Sequence, residues 1–351
     1  MIVRNETPGL RAAVREMPPG YFALVMATGI VSIATKDRGI DYVSVALRWL
    51  SVLEYIVLVV LYGWRSIAFH AQVRADLADP SKAFAYFTFV AATCVLGTRL
   101  AGDQHHTTAM TLLCVGGLAW VILGYLIPWT AVFANDHRPL LQSANGTWFI
   151  WAVGSQSVAV LAASLEPSLT TGRHQLALVA VFAWSVGVFL YVGAGVSVGM
   201  RLLLYPVRPA DLTPPYWVAM GATAITVVAG ARIAQMTDAP VVSATAGLVA
   251  GTSVFFWAFG TWLVPPLIAI GCWRHIMHRI PLRYEAALWS MVFPLGMYAV
   301  GGRYLGQVDE LPIVAAIGNG ETWVALGVWF VTFLAMIAHL ARTVIGQPGH
   351  S

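Results

Sequence analysis

Long apolar runs separated by short polar breaks make up almost the whole of this chain. A helix needs about 20 mostly apolar residues to cross the hydrocarbon of a bilayer. Ten segments approach or exceed that length: 18–35, 44–64, 83–100, 107–128, 147–165, 175–200, 215–235, 243–270, 284–301 and 320–341. The breaks carry turn residues, among them Asp79-Pro80, Asn145-Gly146, Pro214-Pro215 and Asn319-Gly320. The pattern predicts an all-α integral membrane protein with ten transmembrane helices. Residues 18–342 form one domain, preceded by a cytoplasmic segment, 1–17, and followed by a short cytoplasmic tail, 343–351.

Odd and even segments differ in texture. The odd ones carry hydroxyls and amides: Thr28 and Ser32, Thr88 and Thr93, Ser155, Gln156 and Ser157, Thr223 and Thr226, and Ser290. Each hydroxyl can bond its own backbone carbonyl, but a bias shared by all five odd segments also suits a polar path. The sixth and eighth segments carry Gly195-x-x-x-Gly199 and Gly247-x-x-x-Gly251, a spacing that permits close helix approach. An internal echo links the first and seventh. Pro18-Pro19-Gly20-Tyr21-Phe22 leads to Ala27-Thr28-Gly29, and Pro214-Pro215-Tyr216-Trp217 leads to Ala222-Thr223-Ala224. Prolines suit helix starts and aromatics suit the membrane interface, so the echo fits helical hairpins repeated around an axis.

Composition strengthens the membrane assignment. Hydrophobic residues make up 58% of the chain and charged residues 10%, against about 25% charged in soluble domains. The net charge of +4 is spread over loops, so nothing points to nucleic acid. Lys and Arg concentrate at the termini and in the gaps after even-numbered segments, notably Arg65 to Lys82 and Arg274 to Arg283. Both termini are therefore expected in the cytoplasm, with the protein in the inner membrane. Cys94, Cys114 and Cys272 form no CxxC pair. His275-x-x-His278 lies in a basic juxtamembrane stretch and reads as interfacial, so no metal or other cofactor is expected. Histidines are almost absent from the spans and no nucleophile triad or HExxH is present, which argues against a haem subunit or a membrane enzyme.

Two sites stand out. Phe293-Pro294 lies inside the apolar run from Tyr284 to Val300. Proline lacks an amide hydrogen and crowds the carbonyl one turn back, that of Ser290. In lipid such a break belongs beside other helices or a water-filled cavity. Read from the residues alone, Phe293 is either ordinary packing at a kink or a constriction. Glu54 is the carboxylate placed well inside an apolar run, either as a proton-coupling site or as the partner of an arginine on a neighbouring span.

Three stretches resemble the tellurite-resistance/dicarboxylate transporter family, which includes bacterial tellurite-resistance proteins, yeast malate permease, fungal sulfite exporters and plant slow anion channels. They are Pro19-Gly20-Tyr21-Phe22-Ala23 through Ser32, Asn145-Gly146-Thr147-Trp148 through Ser157, and Trp289-Ser290-Met291-Val292-Phe293-Pro294. The resemblance runs from about Pro18 to Arg342. It implies five helical hairpins around a quasi-fivefold central pore, odd helices inside and even helices outside, assembled as homotrimers in the bilayer. It also implies transport of small inorganic anions or C4-dicarboxylates through a pore gated by Phe293 beside Pro294. Thr28, Ser32, Thr88, Thr93, Gln156, Thr223 and Ser290 are then the candidate pore-lining residues. The alternative within the family is a proton-coupled malate or sulfite carrier using Glu54. A membrane enzyme is the remote alternative.

Overall fold

The computed structural model describes residues 10–134, 139–236 and 239–342, and every regular element among them is helical. Residues 1–9 of the expected N-terminal segment and the expected tail 343–351 lie outside the described residues. Helix α1 (Leu10–Glu16) is short and turned 92° from the helical segment that follows it. Five long helices are mostly buried: α2 (Ala23–Asp37), α5 (Phe87–Ala101), α7 (Phe149–Leu165), α9 (Val218–Ala234) and α11 (Trp289–Val308). Five more lie against them and expose a broad apolar face: α3 (Asp41–Ala68), α6 (His106–Ile127), α8 (Arg173–Leu204), α10 (Pro240–Cys272) and α12 (Pro312–Leu340). Helix α4 (His70–Ala78) is a short connector.

Each buried helix pairs with the exposed helix after it, giving five hairpins. The buried helices also touch one another in the order α2, α5, α7, α9, α11 and back to α2, so they close a ring. Every ring helix is entered through a tight 3-10 turn: Pro19–Phe22, Ala83–Tyr86, Gly146–Trp148, Pro214–Trp217 and Ala286–Leu288. These turns contact one another around the same circuit, so all five ring helices run parallel. The echo visible between the first and seventh segments is thus two instances of a fivefold repeat.

Eight helical segments are long and apolar enough to cross a membrane, and a ninth if α1 and α2 count as one bent span. Helix α11 is outside that set; its glycines and Arg303 lower its apolarity. It is buried among its neighbours along most of its length.

Two expectations need correction. Asn319-Gly320 is not a turn, because α12 begins at Pro312 and runs through both residues. Pro312 suits the first helical position, and packing along α11 outweighs the weak helix propensity of Asn319 and Gly320. The glycine pairs of the sixth and eighth segments do not form close contacts within the chain. A Cβ added at Gly199, Gly247 or Gly251 meets nothing within 4 Å, and one at Gly195 only grazes Phe149 at 3.9 Å. These pairs fall on the outward side of α8 and α10, where the described residues supply no close partner.

Candidate functional site

The ring encloses a small cavity of about 20 Å³ with a wall drawn from all five ring helices. Helix α2 contributes Ile30 and Ile33, α5 Val95 and Thr98, α7 Ser157 and Val160. Most of the wall is aliphatic. Its hydroxyls are internally occupied, since Ser157 donates to the Val153 carbonyl and Thr98 to that of Cys94. On α11 the lining residues are Met297, Val300 and Tyr304, spaced three and four apart on one helix face. Stepping back four residues along that face reaches Phe293, and three more reach Ser290. Phe293 therefore sits on the axial stripe one turn nearer the N-terminal end of the ring, and it is 1% exposed. Pro294 packs against α9 at Gly221, where a Cβ would come within 2.8 Å of the proline Cγ. That close approach fixes the height of the Phe293 ring against its neighbour.

The candidate lining residues are placed differently from expectation, for none of the seven borders this cavity. Thr28 donates to Glu54 of α3 and accepts from the Trp329 indole of α12 at 3.1 Å. Ser32 donates to the Ser44 carbonyl of α3 at 2.7 Å. Thr93 hydrogen-bonds the Tyr55 hydroxyl of α3. Gln156 donates to the Trp184 carbonyl of α8, and Thr223 donates to the Met220 carbonyl while facing Gly260 of α10. Four of these residues hydrogen-bond ring helices to their outer partners, whereas Thr223 bonds within α9 and meets α10 by packing at Gly260. The physical reason is satisfaction: a buried polar group needs a partner, and the neighbouring outer helix provides one more reliably than a dry axis. Thr88 and Ser290 differ. Thr88 shares the α5 face of Val95, seven residues on, and Ser290 shares that of Phe293, so both fall on the axial stripes toward the N-terminal end.

Glu54 has no ion pair with an arginine among the described residues; its Oε1 accepts from Thr28 at 3.2 Å and its Oε2 is buried without a partner. It lies between the first and fifth hairpins, off the axis. Arg65, expected to open a basic loop, instead lies in the last turn of α3, is buried at 3% exposure and pairs with Asp76 at 2.6 Å. His275 and His278 hydrogen-bond to the carbonyls of Ile280 and Trp273.

The C-terminal end of the ring is rich in cations. Five parallel helices bring five partial negative ends together there, each equivalent to about half a charge. Lys36, Arg99 and Arg232 occupy the last turns of α2, α5 and α9 and oppose that field. In the loop after α5, Asp103 gathers Lys36, Arg48 and Arg99, the last at 2.6 Å. Arg99 is 2% exposed and also donates to Ser32 at 2.8 Å and Ser44 at 2.9 Å. Burial alone raises the Asp103 pKa, but hydrogen bonds from Arg99, Lys36 and Arg48 outweigh it and hold the carboxyl well below the usual carboxylate range. Arg232 borders the axial cavity directly and donates to the Tyr304 hydroxyl at 2.7 Å. From the sequence Arg232 is one of five span-end arginines, with Arg48, Arg99, Arg201 and Arg303, among which nothing local selects an axial one, and Tyr304 was missed. The signal was the three- and four-residue spacing from Phe293 through Met297 and Val300 to Tyr304, and from Ile225 through Val228 to Arg232.

Comparison with known proteins agrees with this architecture. Residues 16–337 match the voltage-dependent anion channel family. An uncharacterized transporter of Methanocaldococcus jannaschii is 25% identical over 328 residues, covering 92% of this chain and 92% of its own. A sulfite efflux pump of Trichophyton rubrum is 21% identical over 346 residues, covering 92% of this chain and 90% of the pump. An uncharacterized membrane protein of Mycobacterium tuberculosis (strain CDC 1551) is 66% identical over 163 residues, 46% of this chain and 82% of that protein. A family match across nearly the whole helical ring leads to one conclusion: the chain belongs to the voltage-dependent anion channel family and is a membrane protein of anion transport.

Proposed function

We propose that the chain forms a gated anion pore along the axis of the five-helix ring, with Phe293 as its plug. The observation that carries this reading is the axial stripe of α11. Phe293 stands on the face that lines the cavity one turn further on, and it is 1% exposed. A bare anion in hydrocarbon is costly, and a narrow apolar constriction blocks ions by excluding their water. Rotation of the ring or a small shift of α11 opens the path. All ten long helices cross the membrane in this reading, including α11. Arg65, Arg74, Arg274 and Arg283 lie toward the N-terminal end of the ring, which supports a cytoplasmic placement of that end and of both termini in an inner membrane. The family resemblance supports a homotrimer with one path per subunit. The substrate is an inorganic anion or a C4-dicarboxylate, with sulfite supported by the name of the fungal relative.

A second reading, proton-coupled carriage, is favoured by the unpartnered Oε2 of buried Glu54. One experiment separates the two. Purified protein is placed in liposomes, and flux of chloride, nitrate, sulfite and malate is measured for wild type, Phe293→Ala and Glu54→Gln. The pore reading expects low wild-type flux and a rise of at least about tenfold in Phe293→Ala, equivalent to ~1.4 kcal/mol off the barrier. It expects Glu54→Gln to behave as wild type, because the amide oxygen still accepts from Thr28. Unchanged flux in Phe293→Ala, with malate uptake that follows a proton gradient and is lost in Glu54→Gln, establishes the carrier instead.

A further inference from the structure

Beyond α10 and its last turn, Trp273–Met277, the chain continues as an extended strap, residues 278–285, that leads to the entry turn of α11. The strap is pinned at both ends. The Ile280 amide donates to the Arg274 carbonyl at 3.2 Å, and His275 Nδ1 donates to the Ile280 carbonyl at 2.8 Å. At the other end the Tyr284 hydroxyl accepts from the Trp289 indole at 3.1 Å. Behind the strap lies a cavity of about 470 Å³, bounded by the end of α10 and the entry turns of α9 and α11. Its wall is largely apolar, with Leu267, Ile268 and Ile270 from α10, Trp217 from the α9 turn, and Leu288 and Met291 at the start of α11. Arg274 belongs to this wall, but one Nη is occupied by the carbonyls of Pro209, Ala210 and Leu212. Gly271 lines the cavity too, and a Cβ added there meets nothing within 4 Å.

This trough joins the outward apolar face of α10, since two of its lining residues, Ile268 and Ile276, are 52% and 71% exposed. Its rim is cationic. Arg283 lines the trough and also a second void across the strap, which it shares with Arg342 from beyond the end of α12. Arg279, Arg283 and Arg342 are exposed, and none has an ion pair or hydrogen bond among the described residues. Glu285 is the acidic side chain that lines these voids. We propose that the trough binds an anionic phospholipid from the leaflet on this side. An acyl chain lies on the apolar wall and the phosphate sits on Arg283, with Arg279 and Arg342 adding positive charge. An apolar wall under a cationic rim fits an amphiphile, because burying a chain removes apolar surface from water and a guanidinium grips phosphate oxygens in pairs. The orientation above makes this the cytoplasmic leaflet, where basic side chains beside the membrane attract anionic headgroups. The site rests on the membrane placement of the helices and not on the pore reading.

The test uses the full chain in detergent, titrated with phosphatidylglycerol or with phosphatidylcholine of the same chains, and with inorganic phosphate as the soluble probe. The readout is the lipid-induced rise in unfolding midpoint, measured from each variant's own lipid-free baseline. In the parent, phosphatidylglycerol half-saturates at about fivefold lower concentration than phosphatidylcholine, the effect of about one favourable charge near the membrane surface. Arg283→Gln abolishes that preference, and Arg283→Lys keeps part of it because the charge remains without the paired donors. Gly271→Leu fills the trough and weakens the response to both lipids. Equal responses of the parent to the two lipids overturn the site, as does a preference retained in Arg283→Gln. A response to inorganic phosphate that matches phosphatidylglycerol replaces the lipid by a soluble anion. A parental lipid response in Gly271→Leu, with a changed oligomeric state on size-exclusion chromatography, assigns the trough to a second copy of the chain instead.

Discussion

Replacing Asp103 by asparagine removes a charge and little else, since the side chains are nearly the same size. Three cations meet at this carboxylate, and Arg99 is the decisive one because it is 2% exposed and 2.6 Å away. At an effective dielectric of about 20, two unit charges 4 Å apart interact by about 4 kcal/mol. Removing one partner of a buried pair generally costs about 3–5 kcal/mol, because the other charge stays buried. The two figures agree, and Lys36, being partly exposed, adds little. Relief of Asp103's own desolvation subtracts from the total, so a loss near the lower end, about 3 kcal/mol, is expected. The assay is thermal unfolding of purified protein in detergent, with exposed Asp41→Asn as the control. A double-mutant cycle with Arg99→Met should give less than the sum of the single losses. The pH dependence has a definite sign. A carboxyl whose folded pKa is lowered contributes fully above its unfolded value of about 3.9, and that contribution is lost as pH falls below it toward the folded value. Between pH 5 and 8 the difference between wild type and Asp103→Asn should therefore be flat, and it should shrink only in stronger acid. Equal midpoints for Asp103→Asn and Asp41→Asn near neutral pH would refute the claim that this carboxylate neutralises a buried arginine.

Two further changes test the ring itself. Gly146→Ala places a Cβ 2.3 Å from the backbone of Pro215 and Tyr216, atoms that cannot move without shifting the entry turns of α7 and α9. Overpacking of this kind costs about 1–3 kcal/mol or more, so the yield of the monodisperse wild-type species on size-exclusion chromatography should fall sharply, and wild-type yield would contradict the contact. Ile225→Ser and Thr223→Val separate the cavity wall from the α9–α10 interface. Ile225 lines the cavity whereas Thr223 faces Gly260, so the first should raise anion flux in a Phe293→Ala background. The second should leave it unchanged, and the reverse ranking in liposomes would return Thr223 to the pore.

Hydrophobic run lengths were enough to set the number and order of the long helices, since an apolar segment of that length has few other places to go. The echo between Pro18-Pro19 and Pro214-Pro215 pointed to repetition, because an entry turn is local and is written in local residues. Pro294 stands out in sequence for the same reason, since its missing amide hydrogen is a local property of the backbone, although α11 runs through it as one helix. Which hydroxyl faces which neighbour was not local. Thr28, Ser32, Thr93, Gln156 and Thr223 looked like a polar path, and the folded chain uses them between ring and outer helices. A polar group in an apolar helix marks a need for a partner, and only the packing says on which side that partner lies. The grouping of Arg232 with Tyr304, 72 residues apart, and of Arg99 with Ser32, 67 apart, likewise required the ring to close. The sequence by itself determined the helices, their order and their breaks apart from the one misplaced at Asn319-Gly320. The tertiary structure decided which faces meet, because the rotation of each helix about its axis is set by all its neighbours at once.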